Sequence, residues 1–274
     1  MPAMTREDAL TAVLRRDRAV VIAALAVLVF LAWAYVVWLS QNMSLPMDMD
    51  RSMRMPDMNV LAPAFRPWTG AQFVITFVMW AVMMVGMMTP SAAPMILIYA
   101  RVGRQAALQG KPLAATGFFA GGYLLAWIAF SLLATSGQWM LERAALLTPM
   151  LAAANDTIGG LVLIAAGLFQ WTPVKDVCLK HCQSPLSFIQ HHGGFRGDPL
   201  GALSLGFRHG LYCVGCCWAL MALLFIGGVM NIIWIVGLTI FVLLEKVVPA
   251  GRIITRAAGV GLVLWGSVLL MRSL

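Results

Sequence analysis

The chain has 274 residues, 61% of them hydrophobic and 11% charged, with a mean hydropathy of +0.85. Soluble domains run at roughly 45–50% apolar and about 25% charged residues, so an ordinary soluble enzyme, a disordered chain and a disulfide-rich secreted module are all excluded. The formal charge is +8, but Lys and Arg are scattered between apolar runs. They read as determinants of membrane topology rather than as a nucleic-acid footprint.

Seven apolar runs follow in chain order: Val20–Leu39, Gln72–Tyr99, Ala114–Thr135, Thr157–Gln170, Leu205–Phe225, Met230–Leu244 and Ala257–Met271. The first is too long for the apolar core of a signal peptide and reads as an anchor. The second contains Pro90 and Pro94 and reads as one kinked helix. With the N-terminus inside, fourteen Lys and Arg fall in inner segments. Five fall outside: Arg51, Arg54, Arg66, Arg143 and Arg272. This bias predicts an all-α, polytopic bundle of about seven transmembrane helices. Its N-terminus is inside and its C-terminus outside, in a bacterial inner membrane. Residues 1–274 form one integral membrane domain, with a long outer loop over 40–71 and a long inner loop over 171–204. The bilayer is the expected partner, and a homo-oligomer is left open.

Six methionines fall in the outer loop: Met43, Met47, Met49, Met53, Met55 and Met58. They alternate with Asp48, Asp50 and Asp57. A thioether needs no deprotonation and cannot form a disulfide, so such a loop suits soft copper(I) outside the membrane. Six more lie in the second run. Helical spacing sorts them into Met79, Met83 and Met87, then Met84, Met88 and Met95. Either row is ordinary core filling or the lining of a metal path, with Met83, Met84, Met87 and Met88 as the candidate relay. The kink at Thr89-Pro-Ser-Ala-Ala-Pro94 is a candidate gate, because broken helices survive at membrane depth where they line a cavity.

All five cysteines lie in two groups, read as standing at or near the cytoplasmic face, where thiols stay reduced. Cys178 and Cys182 flank His181 in the inner loop. His209, Cys213, Cys216 and Cys217 lie near the start of the fifth run, at i, i+4, i+7 and i+8, and therefore share one helix face. Thiolates with imidazole select copper(I), zinc or iron–sulfur centres. All seven side chains are candidate metal ligands. Two clusters that contain every cysteine are a stronger signal than one buried thiol, which is commonly packing. His191 and His192, in a Gly-rich turn, read as solvated. Asn155 reads as a helix cap, and Glu245 beside Lys246 as an interfacial pair.

Three segments, Met83-Met-Val-Gly-Met-Met-Thr-Pro-Ser-Ala-Ala-Pro-Met95, Gln170–Cys182 and Gly210-Leu-Tyr-Cys-Val-Gly-Cys-Cys-Trp218, resemble a bacterial family of predicted metal-binding integral membrane proteins, largely a domain of unknown function. The resemblance implies a polytopic metal-binding protein with a role in copper supply. It rests on Cys178, Cys182, Cys213, Cys216 and Cys217, and it does not reach the outer methionines. The leading expectation is capture, transport or delivery of copper, with a copper-dependent protein or a copper chaperone as partner. Zinc is the alternative metal. Two rivals remain: a membrane thiol–disulfide oxidoreductase using Cys178/Cys182 and Cys213/Cys216/Cys217, and a scaffold pinned by structural zinc. Binding and transport rank ahead of catalysis, since no phosphate loop, nucleotide fingerprint or Ser/His/Asp arrangement is present.

Overall fold

A computed structural model describes residues 6–52, 68–110, 113–148 and 151–273, with the side chains of the first helix described over 18–42. Ten helices are seen among these residues: α1 Arg6–Ser52, α2 Gly70–Leu108, α3 Thr116–Arg143, α4 Asp156–Phe169, α5 Pro173–Gln183, α6 Pro185–His191, α7 Pro199–Ala222, α8 Leu224–Gly227, α9 Ile232–Val247 and α10 Gly251–Ser273. No strand appears among the described residues beyond one isolated bridge between Leu147 and Ala153. Every one of the seven apolar runs is helical over most of its length.

Among the described residues, five helical stretches are long and apolar enough to cross a membrane. They are Arg18–Asn42, Gly70–Leu108, Thr116–Arg143, Pro199–Gly227 and Gly251–Ser273. A sixth is counted if α4 and α5, bent by 64° at their junction, form one broken span. The chain makes that bend for a local reason: Thr172 caps α5 by accepting from the Lys175 amide, and Pro173 starts the helix without an N–H to lose. Helix α9 has only 16 residues, capped by Asn231.

The exterior is apolar: Phe30, Leu133, Ile233 and Ile253 are each about 70% exposed or more. The interior holds Gln138, Gln170, Lys175, His209, Glu245 and Lys246. Polar groups inside and apolar groups outside is the distribution that lipid as solvent requires.

Helices α3 and α7 lie against each other with backbone in contact. A Cβ on Gly122 would fall onto the Leu203 carbonyl, and one on Gly206 onto the Phe119 carbonyl. Small residues permit this approach, and it brings the α3 side chains to the thiols of α7. The pair α4 and α10 uses the same device, with Gly160 and Gly266 each against the other's carbonyl.

Candidate functional site

Helix α7 carries three of the cysteines. Asp198 caps it through the Gly201 amide and Pro199 occupies its first turn, so the helix begins six residues before the apolar run at Leu205. This moves the thiols. Cys213 stands fourteen residues from each end of the apolar stretch Pro199–Gly227, about 21 Å from either end at helical rise. The group expected near the start of the run lies halfway along it, inside the bundle.

Cys213, Cys216 and Cys217 are buried. The Cys216 and Cys217 sulfurs are 3.3 Å apart, and the Cys216 thiol donates to the Cys213 carbonyl at 3.1 Å. Helix α5 packs against α7 and brings Cys182 close enough to the Cys213 and Cys216 thiols for their side chains to interact. The two cysteine groups therefore meet, through Cys182. Cys178 does not join them. It is half-buried and rests on the bare backbone of Gly215, where a Cβ would stand 2.8 Å from its sulfur.

Three groups that sequence reasoning missed complete the cluster. Lys246 of α9 donates to the Cys213 sulfur at 2.7 Å and to the Ser91 hydroxyl at 3.2 Å. The Tyr123 hydroxyl of α3 is 3.1 Å from the Cys213 sulfur and donates to the Met88 carbonyl at 3.0 Å. Ser91, between Pro90 and Pro94, also donates to that carbonyl at 2.9 Å. The Pro90–Pro94 segment of α2 is thus tied to the thiols by two routes, one through Tyr123 and one through Lys246. Each of these residues contributes one atom from a helix remote in sequence. The only hint in the chain was a charge at the end of an apolar run.

Glu245 corrects a reading. It is not an exposed charge at the end of a run but fully buried, 2.6 Å from the Lys175 ammonium. Thr255 donates to the same carboxylate oxygen, Lys175 donates to Gln170, and the second carboxylate oxygen has no partner among the described residues. Adjacent residues on a helix point about 100° apart. Glu245 therefore closes the α4–α5 bend while Lys246 reaches the thiols.

The histidines lie around the cluster rather than in contact with its sulfurs. His209 is buried among Phe119, Tyr123 and Phe188, and its Nδ1 has no hydrogen-bond partner among the described residues. His181 stacks on Tyr212 at 4.4 Å. Among the described residues, no three or more His, Cys, Asp or Glu side chains are arranged to hold a metal ion; the thiols touch as hydrogen-bond partners, with an ammonium against Cys213.

The α2 methionines Met79, Met83, Met84, Met87, Met88 and Met95 are all buried. Of the outer set, Met43, Met47 and Met49 lie on the helical backbone of α1, which runs on through Ser52. Met53, Met55 and Met58 lie outside the described residues.

The copper chaperone family PpoB2 matches residues 77–269. The match contains all five cysteines, Lys246 and the three motifs singled out in the sequence, and it leaves out α1 and the outer methionines. No curated protein and no solved structure matches the chain. With about 70% of its length inside that match, the chain belongs to the copper chaperone family PpoB2.

Proposed function

We infer that the protein is a multi-pass protein of the bacterial inner membrane that takes up copper(I) as cargo and delivers it to a copper-dependent partner. Cys182, Cys213, Cys216 and Cys217 form its thiol site, with Cys178, His181 and His209 at the margin. The observation that carries this reading is the meeting of Cys182 on α5 with Cys213 and Cys216 on α7. Two segments far apart in sequence bring soft donors together in an apolar bundle, where bare thiols gain little from one another. Soft sulfur donors favour copper(I).

Loading requires a small rearrangement. An ion with sulfurs at about 2.3 Å in tetrahedral geometry spaces them about 3.8 Å apart. The 3.3 Å between Cys216 and Cys217 must therefore open by a few tenths of an ångström, and Lys246 must yield the face of Cys213 that it occupies. A carrier that must release its cargo is served by a site that is not preformed, since a conducted ion must also leave. In this reading all seven apolar runs cross, the N-terminus and the 171–204 segment face the cytoplasm, and the site is reached from that side. The buried methionines Met83, Met84, Met87 and Met88 offer thioethers along α2. The outer methionines, from Met43 to Met58, collect the ion on the far side.

The test is metal content of the purified protein after growth in medium containing both copper and zinc. Wild type is compared with Cys182→Ser/Cys213→Ser. Copper in the wild type and none in the variant is expected. Stoichiometric zinc that does not exchange would overturn this reading for a structural zinc site, and a metal-free protein with freely titrating thiols would overturn it for thiol–disulfide chemistry.

A further inference from the structure

The α5–α6 segment holds three histidines with one local device in common. The Nδ1 atoms of His181, His191 and His192 lie 2.8 Å from the carbonyls of Val177, Ser187 and Phe188, each four residues earlier. A carbonyl only accepts, so Nδ1 carries a proton in each ring, and in the neutral imidazole Nε2 keeps its lone pair. A carbonyl on one ring nitrogen is how proteins prepare the other to bind metal. Solvated helical histidines make the same bond, and for the exposed His191 that is a sufficient account.

His181 and His192 differ because they come together from α5 and from the residue that caps the end of α6. Their ring centroids are 6.2 Å apart, with planes at 76°. A metal held between two imidazole nitrogens, with bonds of about 2.0–2.1 Å and the ring radius on each side, sets centroids about 6 Å apart. Both rings are half-buried and fixed by stacking, His181 on Tyr212 and His192 on Phe188, each at 4.4 Å. His181 is followed directly by Cys182, the α5 residue that meets the α7 thiols. Phe188, under His192, lies 5.1 Å from the buried His209 ring.

We propose that His181 and His192 form a two-imidazole loading site for copper(I), from which the ion passes to the Cys182 thiol. This rests on the copper(I) reading of the thiol cluster. Copper stays in the +1 state throughout the handover. The two Nε2 lone pairs are released, a copper–sulfur bond forms, and the accepting thiol gives its proton to solvent. Nitrogen donors hold copper(I) less firmly than thiolates, so the ion moves inward.

The test uses the full-length protein in detergent, with copper(I) presented as its bicinchoninate complex and uptake followed by stopped flow. His181→Ala/His192→Ala is expected to slow loading by roughly tenfold or more, with the final stoichiometry unchanged. His191→Ala is expected to load at the wild-type rate. Separately, 15N-histidine spectra of a variant with Cys182, Cys213, Cys216 and Cys217 all changed to Ser are expected to show copper(I) shifting Nε2 of His181 and His192 but not of His191. The double variant loading at the wild-type rate would overturn the proposal, whether or not the thiol-free variant folds. Unmoved imidazoles alongside loaded wild-type thiols sink the loading site alone. Shifted imidazoles with wild-type thiols that never take up copper sink the handover and, with it, the thiol reading.

Discussion

The Lys246 ammonium lies 2.7 Å from the Cys213 sulfur and donates to the Ser91 hydroxyl, while the Tyr123 hydroxyl lies 3.1 Å from the same sulfur. If two of the four thiols bind copper(I) as thiolates and the others stay protonated, the site carries a net charge of −1, and an uncompensated anion is costly inside the bundle. In the proposed copper-loaded site Lys246 would bring that balance to zero and serve as its counter-ion. Lys246→Met is expected to weaken copper(I) binding by roughly tenfold or more, where each factor of ten is about 1.4 kcal/mol. Lys246→Arg, which keeps the charge, is expected to retain most of the affinity. Competition titration against a coloured copper(I) chelator reads both. Equal or tighter binding by Lys246→Met would refute the counter-ion role.

One residue earlier, Glu245 faces Lys175 at 2.6 Å, with both side chains fully buried. Removing one member of such a pair leaves a bare charge, at a cost of about 3–5 kcal/mol, whereas replacing both with apolar residues is often neutral. Glu245→Leu alone is therefore expected to lower the unfolding temperature sharply. Lys175→Met/Glu245→Leu is expected to recover most of the loss. Thermal unfolding in detergent, followed by helical circular dichroism, checks the order of the three proteins. A double variant no more stable than the single would show that the pair itself is needed.

These two residues also show where the sequence stops being legible. Periodicity and hydropathy locate the apolar runs, and the i, i+4, i+7, i+8 spacing assigns His209, Cys213, Cys216 and Cys217 to one face, because both are properties of a single helix. Glu245-Lys246 at the end of a run looks like an interfacial pair. The roughly 100° turn between neighbours sends one side chain to α5 and the other to α7, and no local pattern encodes which neighbour each will find. Tyr123 and Ser91 are hidden for the same reason. Helix α7 starts at the Asp198-Pro199 cap rather than at the first apolar residue, which sets Cys213 midway along the apolar stretch Pro199–Gly227. The Asp-Pro cap is legible in the sequence, but hydropathy alone does not register it.

Helices α3 and α7 offer a contrast between adjacent glycines. A Cβ on Gly122 would meet backbone atoms of Leu203 and Phe207, while one on Gly121 meets nothing within 4 Å. Gly122→Ala is expected to force the helices apart, cost about 2 kcal/mol or more and pull Tyr123 away from Cys213. Gly121→Ala is expected to be neutral or to stabilise by about 0.4–1 kcal/mol, through helix propensity and a less flexible unfolded chain. Unfolding temperatures of the two variants check the sign of each change, and the copper(I) affinity of Gly122→Ala checks the link from packing to the site.

The two cysteines of α5 differ in environment although they sit one turn apart. Cys182 meets the α7 thiols, whereas Cys178 rests on Gly215. If contact with the cluster decides the role, Cys182→Ser lowers copper(I) affinity by roughly tenfold or more, by removing a soft donor. Cys178→Ser is then expected to change it by no more than about threefold, because that sulfur serves packing. Gly215→Ala gives an independent check, since its Cβ would stand 2.8 Å from the Cys178 sulfur and push α5 outward. In the wild-type background that displacement is expected to cost affinity by withdrawing Cys182. In a Cys178→Ser background, with a smaller atom against the new methyl group, part of the affinity is expected to return. Chelator competition on the four proteins resolves the matter: equal losses from Cys178→Ser and Cys182→Ser would mean that both thiols bind the ion and that α5 shifts on loading to bring Cys178 into the cluster.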